Sequence, residues 1–147
     1  MKRFNFSLQK ILQLRKYREE ECKIQLGVAI GALSQIEDNI QLTASKRSFA
    51  ASERFSAVGG SAGGGDFLAW EVYINRLDLE RVILEEDAAA AAAVVEEKRG
   101  IYLEAARDLK TMEKLKEKKE KEHRKEMLAA ETLELDLQAH AKRFFTV

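Results

Sequence analysis

Proline is absent from all 147 residues. Average usage of roughly 5% would supply about seven, and proline breaks helix interiors. Its absence, beside 34% charged residues, points to very long helices. One cysteine, Cys22, excludes a disulfide framework and a four-cysteine metal site, and it fits a reducing compartment. Aromatic residues make up only 7%. Of the 46% apolar residues, twenty are alanines, so large apolar side chains are too few for a thick globular core. The longest apolar run, 88–95, falls far short of the roughly 20 residues a membrane span needs. Met1-Lys2-Arg3 is basic, but no hydrophobic signal core follows, so the expectation is a cytoplasmic chain.

Glycine is scarce except in one place. Five of the eight glycines lie within 59–65, a poor helix that permits a reversal. One helix is therefore expected over 8–57 and a second over 66–143, on either side of a glycine-rich hinge at 59–65. Ser7 is the expected N-cap of the first helix, with Phe6 and Ile11 as its hydrophobic staple. Asp66 is the expected N-cap of the second.

Heptad counting supplies the seam. Steps of four and three from Leu8 pass through Leu12, Arg15, Glu19, Cys22, Leu26, Ala29, Leu33, Ile36, Ile40 and Thr43, eight of eleven apolar. From Trp70 they pass through Ile74, Leu77, Arg81, Leu84, Ala88, Ala91, Val95, Lys98, Tyr102, Ala105, Leu109 and Met112, eleven of thirteen apolar. The register fails at Lys116, Lys119, His123 and Glu126. It resumes at Ala130, Leu133 and Leu137.

The expected fold is therefore all-α: a single domain of two long helices in an antiparallel coiled-coil hairpin, the C-terminal helix the longer. A short glycine loop makes the helices antiparallel neighbours. With its centre near Ala62, paired positions sum to about 124. Gly27, Gly31 and Ala32 then face the end of the alanine run 88–93. That arrangement reads either as a close approach of two backbones or as alanine used simply as a helix former. The last 25 to 30 residues of the second helix should overhang the start of the first. Leu128, Leu133, Leu135, Leu137, Phe144 and Phe145 would then be left for a partner or another copy.

Charge is uneven although the total balances at zero. Residues 2–23 carry +4 and 107–126 carry +3, whereas 71–97 carry −6. A hairpin would thus be basic at its open end and acidic toward its middle and hinge, which orients it against a charged partner. The run 113–126 reads as a solvated helix laced by ion pairs, with Glu117–Lys121 and Glu120–Arg124 at favourable spacing. The functional alternative to that plainer reading is a contact for an acidic partner surface. Balanced acids and no interleaved aromatics argue against nucleic acid.

No catalytic constellation is evident. His123 and His140 are seventeen residues apart, not on one helical turn. Cys22 reads as a small seam residue. The glycine run lacks the lysine of a phosphate-binding loop. No catalytic, metal-binding or cofactor-binding residue is therefore assigned, and a non-enzymatic chain needing no cofactor is expected. Near the hinge gather Phe49, Phe55, Phe67, Trp70 and Tyr73, a candidate docking tip.

The opening Phe4-Asn5-Phe6-Ser7-Leu8-Gln9-Lys10-Ile11-Leu12, followed by Leu14, Arg15, Tyr17, Arg18, Glu19 and Glu20, resembles the start of the FliJ family of flagellar type III export. So do Met112-Glu113-Lys114-Leu115-Lys116-Glu117-Lys118 and the later Leu133, Asp136, His140, Arg143 and Phe144. The polyalanine stretch and the glycine-rich hinge depart from that pattern. The resemblance implies a soluble coiled-coil stalk, similar in fold to the gamma subunit of rotary ATP synthases. It implies that the paired termini enter the pore of the hexameric export ATPase and promote ring assembly. It also implies contact with the cytoplasmic domain of the membrane export gate, handling of export chaperones, and a place at the cytoplasmic face of the inner membrane. Carried onto this chain, Leu8, Leu12, Arg15, Arg18, Leu115, Lys116, Lys119, Leu133 and Arg143 become ATPase-facing candidates. Phe49, Phe55, Phe67, Trp70 and Tyr73 become gate-facing candidates by position alone. A generic dimerising coiled-coil adaptor is the alternative, and a rod binding nucleic acid or a membrane surface is another class.

Overall fold

The computed structural model describes residues 3–59 and 64–145, with only the backbone of 64 and 65. Two helices account for nearly all of them: α1, Gln9–Gly59, of 51 residues, and α2, Gly64–Phe145, of 82 residues. They pack as a hairpin in which the C-terminal helix is the longer. Of the expected hinge 59–65, residues 60–63 lie outside the described residues. Gly59 ends α1, and Gly64 and Gly65 open α2.

The helix starts differ from expectation. Ser7 is exposed and does not cap α1. Main-chain groups close the first turn instead: the Gln9 N–H donates to the Phe6 carbonyl at 3.1 Å and the Leu12 N–H to the Leu8 carbonyl at 2.9 Å. A carbonyl already placed there leaves a serine hydroxyl little to add. The staple also changes partner. Ile11 is 43% exposed, and Phe6 is buried in a cluster with Leu12 and Met112. Burial against α2 outweighs a local contact along the chain. Asp66 stands inside the first turn of α2 rather than capping it, where its charge suits the positive end of the helix dipole. Lys142 and Arg143 complement the other end.

The chain divides into two compact units, each a pairing of α1 with α2. The first comprises Met1–Glu20 with Leu103–Val147. Its core is Phe6, Leu12 and Met112, flanked by Phe4, Leu8, Leu109 and Leu115. The Arg15 guanidinium donates across it to the Asp108 carbonyl oxygen at 3.1 Å. The second comprises Glu21–Tyr102. It buries Cys22, Ala29, Thr43 and Ala50 of α1 and Ile74, Leu77 and Val95 of α2. Arg47 Nε meets Asp78 Oδ1 at 2.6 Å across the pair. Both groups are over 40% exposed, so this bond adds at most about 1 kcal/mol and mainly marks register.

The heptad register is the observed one. All eleven positions counted from Leu8 are buried or half-buried, and on α2 twelve of thirteen are, Arg81 being the exception. Arg15 with Asp108 and Arg47 with Asp78 each sum to within one of the expected 124. The close-approach reading fails at the glycines. A Cβ built on Gly27 or Gly31 would meet nothing within 4 Å, so neither holds α1 near α2. Ala29, between them, is the buried residue.

Leu12 is 2% exposed and Leu14 68%, two positions apart on one helix. Leu12→Ala should lower unfolding free energy by about 2–4 kcal/mol in urea titrations, and Leu14→Ala by less than about 0.5 kcal/mol. Equal losses would contradict the register.

Candidate partner-binding surfaces

In the first unit the segment before α1 shapes the surface. Phe4 is half-buried, its ring centroid 5.5 Å from that of His123 and tilted by 57°. Residues 3–8 therefore continue along α2 where the seam count breaks down. They cover Leu115 and His123 and leave a groove of about 410 Å³, with Lys119, Glu122 and Glu126 on its rim. The overhang is correspondingly shorter than expected. Every described residue from 128 onward is exposed, whereas Met127 and His123 are half-buried. The uncovered stretch is thus 128–145, not 25 to 30 residues, because a non-helical segment advances along α2 faster per residue than a helix does.

Along the uncovered stretch Leu128, Leu133, Leu135 and Leu137 are each more than 60% exposed, and Phe144 and Phe145 more than 80%. Leu133, Asp136, Leu137, His140 and Arg143 line one shallow face. The two terminal rings stack edge to face at 6.5 Å. Isolated helices bury nothing and are marginal in water, so such a face is stable when a partner covers it.

The resemblance-derived residues divide by burial. Leu12 is inside the core, and Leu8 and Leu115 are half-buried against it. Arg15 is half-buried and tied to the Asp108 carbonyl. Lys116 is half-buried, and Arg18, Lys119, Leu133 and Arg143 are exposed. Lys119 Nζ reaches Glu122 at 3.5 Å, and Lys121 reaches Glu117 at 3.6 Å, the expected pair. The expected Glu120–Arg124 pair does not form. Such exposed i,i+3 and i,i+4 contacts hold little energy and reorganise readily.

In the second unit Phe49, Trp70 and Tyr73 gather. Trp70 lies edge-on to Phe49 at 6.2 Å and to Tyr73 at 6.1 Å. Trp70 and Tyr73 are half-buried while Phe49 is 62% exposed. Phe55, 81% exposed, and Phe67, half-buried, stand apart from this cluster. Three of the five expected tip aromatics therefore form one surface.

A feature the heptad count passed over is a second apolar register on the reverse faces. On α1, Leu14, Tyr17, Ile24, Val28, Leu42 and Phe49 are exposed. On α2, Leu68, Val72, Leu79 and Ile83 are exposed. Most stand two residues from a seam position, or about 200° around the helix. Steps of three and four from Leu14 pass through Tyr17, Ile24, Val28, Leu42 and Phe49. Val72, Leu79 and Ile83 line an open groove with Asn75, Arg76 and Glu80.

Phe4 and Phe6 should protect the middle of α2 from protease. In Phe4→Ala/Phe6→Ala, tryptic cleavage after Lys119 and Lys121 should speed up several-fold relative to cleavage after Lys142. Mass spectrometry of a digestion time course reads that ratio, and an unchanged ratio would contradict the covering role.

A family model described as flagellar FliJ protein matches residues 4–142. That is a family of non-enzymatic components of flagellar protein export. No curated protein and no solved structure matches this chain. No helix among the described residues is long and apolar enough to cross a membrane.

Proposed function

Because the chain belongs to the flagellar FliJ family, we propose that it is a non-enzymatic stalk and chaperone-escort component of flagellar protein export. Its terminal unit inserts in the hexameric export ATPase and promotes ring assembly. The observation that carries this reading is the uncovered stretch 128–145 beside a basic surface in the same unit. The apolar face of Leu133 and Leu137 supplies contact area. Arg18, Lys116, Lys119 and Arg143 supply charge for a ring lined with acidic groups. Leu8, Leu12 and Leu115 support that surface from beneath, and Arg15 fixes it to α2.

The other unit reaches the cytoplasmic domain of the export gate. Phe49 with Trp70 and Tyr73 is the surface suited to it, because partly buried aromatics offer large area at low entropic cost. Phe55 and Phe67 extend the same end of the helices. Empty export chaperones dock on the exposed apolar stripes. The chain acts at the cytoplasmic face of the inner membrane, held there through its partners. Its contribution is mechanical and allosteric: contacts that differ around the ring bias the hydrolysis sites and link them to the gate.

The apolar stripes on the reverse faces favour a second reading, an adaptor that self-associates. Analytical ultracentrifugation separates the two: a stable homo-oligomer at micromolar concentration supports the adaptor, and a monomer supports the stalk.

ATP hydrolysis and ring assembly by the cognate export ATPase should rise when this chain is added. Arg18→Glu/Lys116→Glu and, separately, Leu133→Asp should return both to near the ATPase-alone level. Their circular dichroism and Tm should match the native chain, because none of these side chains is part of the core. Stimulation that survives all three substitutions would overturn the reading.

A further inference from the structure

Every described residue of 128–145 is exposed, yet the stretch keeps the register of the seam. The four-and-three steps that pass through Met112 arrive, after the charged interruption, at Ala130, Leu133, Leu137, His140 and Phe144. The shallow face of this stretch follows that register. Leu133, Leu137 and His140 run along its middle, with Asp136 and Arg143 beside them. Asp136 immediately precedes Leu137, and Arg143 immediately precedes Phe144. Those are the rim positions from which charges reach across a coiled-coil seam and set the orientation of the partner helix.

The face is complementary to itself when one copy is reversed. With paired positions summing to about 277, Leu133 of each copy lies opposite Phe144 of the other, and Leu137 opposite His140. The same alignment sets Asp136 of each copy beside Arg143 of the other, twice over by the twofold symmetry. The charge trend along the helix agrees. Glu131, Glu134 and Asp136 come first and Lys142 and Arg143 last, so reversal brings unlike charges together. A parallel copy in register would set each charge level with its own kind and stack His140 on His140. The overlap spans 132–145 in both copies, all of it uncovered helix, so the paired part of each hairpin stays clear of the other.

We propose that the uncovered end of α2 pairs antiparallel with the same segment of a second copy of this chain, through Leu133, Leu137, His140 and Phe144, with Asp136 and Arg143 fixing the direction. The overlap is only about 21 Å of helix. It buries less than the roughly 1,200 Å² at which stable specific interfaces begin, so the Kd is on the order of 100 µM. The chain is thus a monomer at micromolar concentration, and the pairing yields to any partner that covers more of the same face. This goes beyond the export ATPase reading: it states what covers the face when that partner is absent, and a measurement on the chain alone leaves that reading standing either way.

Sedimentation equilibrium of the full chain in low salt, where exposed charges are least screened, tests it. The native chain should be monomeric at about 5 µM and mainly dimeric at about 500 µM. Asp136→Arg alone, or Arg143→Asp alone, sets like charges at both rim contacts and should weaken the dimer about tenfold. An equimolar mixture of the two single variants, and D136R/R143D by itself, should each recover the native Kd within about threefold. Circular dichroism should be unchanged throughout, because both side chains are exposed. A chain still monomeric at about 500 µM would overturn the proposal. So would single reversals that leave the dimer intact, which would assign it to another face, or a mixture and a double variant that fail to recover it.

Discussion

Everything here depends on one narrow apolar seam between two antiparallel helices. Each helix offers it about one side chain every three or four residues, and no third layer deepens it. Leu12, Ile74, Leu77, Val95 and Met112 are therefore both the core and the register marks. The polar bonds across the pair, from Arg15 to the Asp108 carbonyl and from Arg47 to Asp78, confirm the alignment without supplying much of its stability. A helix whose neighbour covers only one side must leave the other in water. Here that other side also carries large apolar groups, and this separates the molecule from an inert spacer.

The seam also explains where binding surfaces arise. It ends on α2 once the chain before α1 runs out. Phe4 and Phe6 carry the cover as far as His123, and beyond Met127 every described residue of α2 is exposed. In the other unit, Trp70 continues the seam and brings Phe49 and Tyr73 together as it does so. Surfaces suited to partners thus form by extension or exhaustion of the same packing that folds the chain. No cavity has to be excavated for them.

Much of this was legible in the sequence because heptad spacing speaks directly of helix pairing. The seam from Leu8 to Thr43 and from Trp70 to Met112, the break between the two helices at the glycine run and the register near 124 all follow from spacing. The helix ends were less legible, since Ser7 and Asp66 announce capping chemistry that nearby backbone and dipole geometry replace. The length of the overhang was misjudged because periodicity is silent about a non-helical segment such as 3–8. Gly27 and Gly31 suggested close approach by composition, but which face they occupy depends on Ala29 taking the seam position between them. Of the candidate surface, its location could be read. The burial of Leu12, the tie on Arg15 and the separation of Phe55 and Phe67 from the other aromatics required three dimensions.

The register is the claim on which the rest stands, and disulfide trapping tests it directly. In a Cys22→Ser background, Leu12→Cys with Met112→Cys places two thiols within one buried cluster. Leu12→Cys with Ala105→Cys places them one heptad out of step. Mild oxidation should join the first pair rapidly within a single chain and leave the second reduced. Efficient joining of the second pair, with none of the first, would contradict the seam described here and every surface derived from it.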